Sequence, residues 1–168
     1  MTIEIRDATA ADAAAIRAVL VAAFPTPAEA DLVKQLERDG DGVLSLIAVE
    51  ASQVLGHVLV SRMSAEADGR PVRAVGIGPV AVQPERQRQG IGTQLVRSAV
   101  ERLRDQEERF VFLVGDPAYY RRFGFDTATA APCASPYAGD YFMALALKDA
   151  EVPATGRADY AGAFAAIE

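Results

Sequence analysis

The stretch RQRQGIGTQL places hydrogen-bond donors and two glycines directly ahead of an apolar helical pattern. The first turn of a helix exposes about four unpaired N–H groups and carries roughly half a positive charge. Gly90 and Gly92 leave those N–H groups open to a bulky anion, and Thr93 adds a hydroxyl. Arg86 and Arg88 add positive charge. The stretch therefore predicts a binding site for a phosphate group.

Two other glycine motifs that bind phosphates do not fit the sequence. A P-loop requires G-x-x-x-x-G-K-[ST], and no lysine follows these glycines. The dinucleotide fingerprint requires G-x-G-x-x-G between a strand and its helix, but Gly76-Ile77-Gly78 lies within a predicted strand and lacks the third glycine. A tight strand-to-helix turn without a ligand is the alternative for Gly90 and Gly92. The neighbouring donors favour the anion site.

Composition limits the class of protein. The chain has 168 residues, a formal net charge of −6 and one cysteine, Cys133. We expect one domain over residues 1–148 with a tail at 149–168 that packs on it. The acidic balance argues against nucleic-acid binding, and the sequence has no apolar run long enough to span a membrane. A single cysteine excludes an intrachain disulfide and a cysteine metal site, so we expect a cytoplasmic protein without a metal.

Hydrophobic periodicity predicts an α/β chain. Strands joined by short turns are antiparallel, whereas the helix between Gln83 and Arg109 allows a parallel crossover. We therefore predict a mixed, mostly antiparallel central sheet flanked by helices. Strands are predicted at 2–8, 43–50, 53–61, 70–83, 109–115, after Phe125 and at 141–148, and helices from Thr9, from Thr26, at 91–106, at 116–120 and at 160–167.

Three segments resemble motifs of the GCN5-related N-acetyltransferase (GNAT) family. Residues 87–92, QRQGIG, fit the family pattern Q/R-x-x-G-x-G/A. Residues 78–84, GPVAVQP, resemble the strand end that precedes it, and residues 119–125, YYRRFGF, resemble the segment F-Y-x-x-x-G-F. The motifs occur in the family's order and spacing, and the element order over 2–148 matches. The chain looks most similar to a bacterial subgroup whose members mostly lack an assigned substrate.

The resemblance implies acetyl-CoA as the acetyl donor. Val80, Ala81 and Val82 would offer backbone groups to the pantetheine arm and the thioester carbonyl, and their strand would splay from the parallel strand at 109–115 to open the acetyl-CoA cleft. Arg88 stands where many members carry glycine, so its side chain must point outward or toward a phosphate. The pyrophosphate would lie on the amides of Gln87, Arg88, Gln89, Gly90, Ile91, Gly92 and Thr93.

The resemblance also implies a general acid. Tyr120 lies four residues before Gly124, the position of the proposed acid in many members, and Tyr119 is the second choice. Packing against the cofactor or the core is the alternative role for both rings. We expect an amine to attack the thioester directly, while Tyr120 protonates the leaving thiolate.

The general base is left open by the sequence. His57 is the only histidine, but both faces of its predicted strand are apolar, which favours a hydrogen-bonded core residue. Glu66 and Asp116 are explained by a surface turn and a helix cap, so water is the remaining candidate. Cys133 lacks an adjacent histidine and is interpreted as a loop residue.

These inferences together predict an N-acetyltransferase that acts on a primary amine of a small molecule or a peptide. An apolar last strand and an Ala-rich tail are compatible with a homodimer. Two alternatives stay open, a non-catalytic acyl-CoA-binding sensor or regulatory module, and a nucleotide-binding protein that recognises ATP or NAD.

Overall fold

The computed structural model describes residues 2–167. The strands are β1 (Glu4–Asp7), β2 (Gly42–Glu50), β3 (Gln53–Ala67), β4 (Arg70–Val82), β5 (Phe110–Val114), β6 (Cys133–Ala134), β7 (Phe142–Ala146) and β8 (Gly156–Asp159). The helices are α1 (Ala13–Ala23), α2 (Ala28–Arg38), α3 (Ile91–Arg104), α4 (Pro117–Tyr120) and α5 (Thr127–Ala130). Short 3₁₀ helices lie at Ala10–Asp12, Pro84–Arg86, Arg121–Phe123 and Gly162–Ile167.

The described strands form one mixed sheet, which confirms the predicted fold class. Hydrogen-bonded strands follow each other across the sheet in the order β1-β2-β3-β4-β5-β7, and β8 pairs with both β3 and β6. The pairs β1–β2, β5–β7 and β3–β8 are antiparallel, whereas β4–β5 is parallel. The β4–β5 register runs from Ala74 opposite Phe110 to Gly76 opposite Phe112, and it ends there although both strands continue.

Two tight turns set the antiparallel register of the long strands. Ala51 and Ser52 join β2 to β3 with φ of 49° and 66°, and Asp68 and Gly69 join β3 to β4 with φ of 51° and 81°. Positive φ at both central residues is the geometry that matches the twist of two-residue hairpins. Both turns lie where the sequence predicts them.

The chain divides into two compact units. The first comprises the residues up to Val60, Gly78–Val100 and the residues from Gly162 onward. Its core includes Leu20 of α1, Leu36 of α2 and Leu95 of α3, which are at most 1% exposed. The 3₁₀ helix at Gly162–Ile167 packs against α2 within this unit.

The second unit comprises Ser61–Ile77 and Glu101–Ala161. Phe112 of β5 stacks on Phe142 of β7, with ring centroids 5.3 Å apart and planes 12° apart. The Tyr160 ring lies over Gly76, where an ideal Cβ would be 2.6 Å from its Cε1 atom. Tyr160 also meets the edge of the Tyr137 ring at 5.1 Å.

Two predicted details of the second unit are wrong. The strand expected after Phe125 is only a one-residue bridge between Asp126 and Ala144, and α5 follows it because the Asp126 carboxylate accepts a hydrogen bond of 2.8 Å from the Ala128 N–H and caps a helix. The tail contains β8, which the sequence analysis missed. Its four residues, GRAD, show no apolar run, and β8 forms because β3 extends to Ala67 and pairs with it. No helix among residues 2–167 has the length and apolar character needed to cross a bilayer.

Candidate functional site

The turn between β4 and α3 presents a row of unpaired main-chain donors. The first hydrogen bond into α3 runs from the Gln94 N–H to the Gly90 carbonyl, at 3.0 Å. No acceptor among the described residues takes up the N–H groups of the five residues from Arg88 to Gly92. Arg88, Gln89 and Gly90 are exposed, whereas Ile91 is buried and Gly92 is half-buried. The positive end of the dipole of the 14-residue helix α3 increases the positive electrostatic potential around these N–H groups, so the turn is suited to bind an anion.

Backbone conformation explains the residue types in this turn. Arg88 and Gly90 have left-handed φ angles of 63° and 83° on either side of Gln89. Such turns direct successive N–H groups toward one concave side. For an arginine this conformation costs about 1–2 kcal/mol, which a glycine at the position of Arg88 would avoid. At Gly92 an ideal Cβ would meet only Val82 Cγ2, at 3.8 Å, so packing does not require a glycine there.

Arg86 has a different role from the one its sequence position suggests. Its guanidinium donates to both Glu50 carboxylate oxygens, at 3.1 and 3.3 Å, and its Nε donates to Gln89 Oε1 at 3.0 Å. These bonds raise the pKa of Arg86 and lower that of Glu50. The expectation that Arg86 adds free positive charge to the turn is therefore wrong. Arg86 fixes the turn to the end of β2.

The end of β4 is tied to the same turn. Gln87 donates from Nε2 to the Val82 carbonyl at 3.1 Å, while the Gln83 N–H donates to the Leu55 carbonyl of β3 at 2.8 Å. Because backbone groups alternate in direction along a strand, those of Val82 and Val80 face the edge of β4 opposite to β3. The first unit thus brings together the predicted cofactor residues at 80–82 and at 87–93.

A glycine in β3 allows α3 to lie close to the sheet. An ideal Cβ on Gly56 would be 2.9 Å from Leu95 Cδ1, 3.0 Å from the Ala81 oxygen and 3.3 Å from Ile91 Cγ2. These distances are shorter than ordinary carbon contacts of about 3.5–4.0 Å. A side chain at Gly56 would therefore displace the first turns of α3 from β4.

Tyr120 lies in the second unit, at the end of α4. The Asp116 carboxylate caps this helix by accepting a 3.0 Å hydrogen bond from the Ala118 N–H, as predicted. The Tyr120 ring covers Gly115, where any Cβ would overlap it, and meets the Phe125 ring at 6.4 Å. Burial, and then the neighbouring Tyr119, raise the pKa of the Tyr120 phenol. Its hydroxyl has no hydrogen-bond partner within residues 2–167.

Tyr119 is held in a different way. Its ring meets that of Tyr120 edge-on at 4.9 Å and lies 4.3 Å below the guanidinium of Arg122. Arg122 Nε also donates to the Tyr119 carbonyl at 2.8 Å. These contacts give Tyr119 a packing role on α4.

The other titratable residues considered for a catalytic role have surroundings that explain them without one. His57 is fully buried, its Nε2 lies 2.8 Å from Ser45 Oγ, and burial lowers its pKa to about 4. Cys133 is not the predicted loop residue: it lies in β6 and is buried, and burial raises the pKa of its thiol. The surface turn predicted at Glu66 is also wrong, because Glu66 is an exposed residue of β3 opposite Arg157 of β8. Residues 2–167 contain no group of three or more His, Cys, Asp or Glu side chains that could hold a metal ion.

Comparison with known proteins agrees with these features. The family model described as the acetyltransferase (GNAT) domain matches residues 4–128. The chain belongs to the GNAT family. It is therefore an N-acetyltransferase by family, as the sequence predicts. It is 38% identical to the Escherichia coli N-acetyltransferase YhbS over 118 residues, which cover 70% of each chain. It is 37% identical to the E. coli N-acetyltransferase YjhQ over 126 residues, which cover 73% of this chain and 66% of YjhQ.

Two solved structures are similar over nearly the whole chain. The crystal structure of E. coli YhbS in complex with CoA has a TM-score of 0.86 at 33% identity, covering 97% of this chain and 92% of that one. A GNAT family acetyltransferase from Brucella melitensis in complex with acetyl-CoA has a TM-score of 0.80 at 36% identity, covering 97% and 98%.

Sequence reasoning missed three residues that shape the candidate site. Gly56 interrupts an apolar strand segment, and a glycine inside a strand is a known sign of close backbone approach, so that signal could have identified it. Gly115 directly follows the last residue of β5, where a glycine reads as an ordinary turn residue. Glu50 could not be identified in this way, because its partner Arg86 lies 36 positions away in the chain.

Proposed function

We propose that this acetyltransferase transfers an acetyl group from acetyl-CoA to a primary amine of a small molecule or a peptide, by direct attack within a ternary complex. The observation that carries the proposal is the row of unpaired N–H groups from Arg88 to Gly92 at the start of α3. A diphosphate matches those donors in charge and in its number of acceptor oxygens. The ligands of the YhbS and B. melitensis structures support the same choice of donor.

The exposed backbone edge at Val80 and Val82 supports a role for β4 in holding the rest of the cofactor. The pantetheine arm carries two amide groups, so it can pair with this edge as an added strand would. The Gln87 side chain already donates to the Val82 carbonyl. The main-chain N–H groups of this edge are therefore the donors available to pantetheine or to the thioester carbonyl. A donor to that carbonyl would stabilise the negative charge that develops on its oxygen during attack.

In the proposed reaction the amine nitrogen forms a bond to the thioester carbon and the carbon–sulfur bond breaks. The leaving thiolate takes a proton from the Tyr120 hydroxyl, and the proton lost by the amine passes to water, from which the Tyr120 phenolate recovers its proton. A phenol has an ordinary pKa of about 10 and burial raises that of Tyr120 further, so its hydroxyl carries a proton at neutral pH that it can donate. His57 has no exposed surface, which supports water as the acceptor of the amine proton.

The state of Cys133 supports direct attack over an acetylated enzyme. Its thiol is buried and its pKa is raised, whereas a nucleophilic cysteine needs an exposed thiolate. We expect intact-mass analysis after incubation with acetyl-CoA alone to show no acetyl adduct. With a panel of primary amines, thiol release should depend on the acceptor, and Cys133→Ala should retain it. An acetyl adduct at Cys133 would overturn direct attack, and tight acetyl-CoA binding without acceptor-dependent thiol release would favour a sensor.

A further inference from the structure

The second unit contains a pocket whose lining includes none of the residues of the turn at α3. Its volume is about 460 Å³, within the range of roughly 300–1,000 Å³ typical of small-ligand sites. Phe142 and Ala130 contribute buried lining atoms, and Pro117 and Ala138 add further apolar surface. Phe142 is the first residue of β7 and pairs with Val114, the last residue of β5, so the pocket lies beside that end of the β5–β7 pair.

Two opposite charges line this pocket without a partner. The Arg121 guanidinium and the Asp140 carboxylate are exposed, and neither makes a hydrogen bond or an ion pair with any atom of residues 2–167, including each other. The Thr127 hydroxyl is a third polar group of the lining. An isolated charge of this kind is ordinary on a surface. A cation and an anion that share one concavity are complementary to a ligand that carries both signs.

Both charged residues stand on short segments fixed by main-chain hydrogen bonds. Arg121 begins a 3₁₀ turn in which its carbonyl accepts from the Gly124 N–H at 2.9 Å. Asp140 lies within the turn closed by Phe142 N–H to Gly139 O at 3.3 Å, directly after the turn closed by Ala138 N–H to Ser135 O at 3.1 Å. The positions of the two Cα atoms are thus set before a ligand arrives, which lowers the entropy lost on binding.

We propose that this pocket binds a small zwitterion with one carboxylate and one ammonium group, an amino acid or a short peptide with small apolar side chains. Arg121 would take the carboxylate through its planar pair of N–H donors, and Asp140 would take the ammonium group. The alanine methyl groups and Phe142 would contact the apolar part of the ligand. Binding here does not depend on acetyl-CoA or on the proposed reaction.

The test is a calorimetric or NMR titration of the full chain with L-alanine and with L-alanyl-L-alanine. These two probes distinguish a free amino acid from a peptide. Propionate and ethylamine each carry one of the two charges. We expect saturable binding of at least one zwitterion, and affinity about tenfold weaker for each single-charge probe.

Single substitutions test the contributions of Arg121 and Asp140 one at a time. Arg121→Gln should lower zwitterion affinity about tenfold or more, whereas the matched change Arg122→Gln should not, because that guanidinium lies on the Tyr119 ring. Asp140→Asn should remove the preference for alanine over propionate, and Asp105→Asn, on an exposed helix end, should leave it intact. A lack of saturable binding at millimolar concentrations would overturn the proposal. Equal losses in Arg121→Gln and Arg122→Gln would do so as well.

Discussion

Replacing Gly56 by alanine tests whether close packing of α3 on β3 holds the phosphate-binding turn in place. The new methyl group would lie 2.9 Å from Leu95 Cδ1 and 3.0 Å from the Ala81 oxygen. Leu95 is fully buried and cannot swing into solvent, and the Ala81 oxygen belongs to the backbone. Relief of both contacts requires α3 to move by about 0.5 Å or more, since carbon contacts settle near 3.5–4.0 Å.

Overpacking of this size in a core costs about 1–3 kcal/mol. In a chain of this length each kcal/mol lowers Tm by about 2–4 °C. We expect the affinity for acetyl-CoA to fall about threefold to tenfold as well, because the shifted helix carries the turn donors with it. Urea denaturation gives the free energy of unfolding, and isothermal titration calorimetry gives the affinity.

Gly162→Ala is the matched control, because no atom lies within 4 Å of an ideal Cβ at that position. It reports the stabilisation that any glycine-to-alanine change gains from a less flexible unfolded chain. The reasoning is refuted if Gly56→Ala unfolds within about 0.5 kcal/mol of the control and binds acetyl-CoA with unchanged affinity.

Three further predictions concern single side chains. Tyr120→Phe should lower kcat by a factor on the order of 10² with little change in acetyl-CoA affinity, and full turnover would remove its acid role. The pKa of His57 in the folded chain is about 4, below its ordinary value of 6.5. Between these two pH values the unfolded chain therefore binds more protons than the folded chain. The free energy of unfolding should fall by about 3 kcal/mol as the pH drops from 6.5 to about 4. His57→Gln should flatten that profile in urea denaturation, and an unchanged slope would contradict the assignment. Arg86→Gln and Glu50→Gln should each weaken acetyl-CoA binding about two- to fivefold, because either change frees the turn. Tighter binding by Glu50→Gln would instead indicate direct contact between Arg86 and phosphate.

Local chemistry made part of the fold and site predictable. The two hairpin turns, the start of α3 and the Asp116 cap depend on neighbouring residues, and each appears where the sequence predicts it. The glycine pair predicted open main-chain N–H groups at this helix start, and its two members contribute to them differently. Gly90 adopts a left-handed φ, whereas Gly92 leaves space beside an amide.

Contacts between distant parts of the chain were not predictable from spacing. β8 has no apolar run of its own and exists because residues 156–159 pair with residues 64–67 of β3. The Arg86 guanidinium forms an ion pair with Glu50, a residue 36 positions earlier, so the positive charge of Arg86 is already neutralised. Asp126 pairs with Ala144 in a single antiparallel bridge and its carboxylate caps α5, so the extended segment predicted after Phe125 is only one residue long.

The most direct test of the proposed cofactor site is the affinity of Gly92→Leu for acetyl-CoA. An ideal Cβ at Gly92 meets only Val82 Cγ2, at 3.8 Å, so the fold accommodates the substitution and the added side chain covers the open N–H groups. With an unchanged urea midpoint, we predict at least about a tenfold loss of acetyl-CoA affinity by calorimetry. An affinity equal to that of the unaltered chain, in a variant that is equally stable, would contradict the claim that these main-chain donors hold the diphosphate.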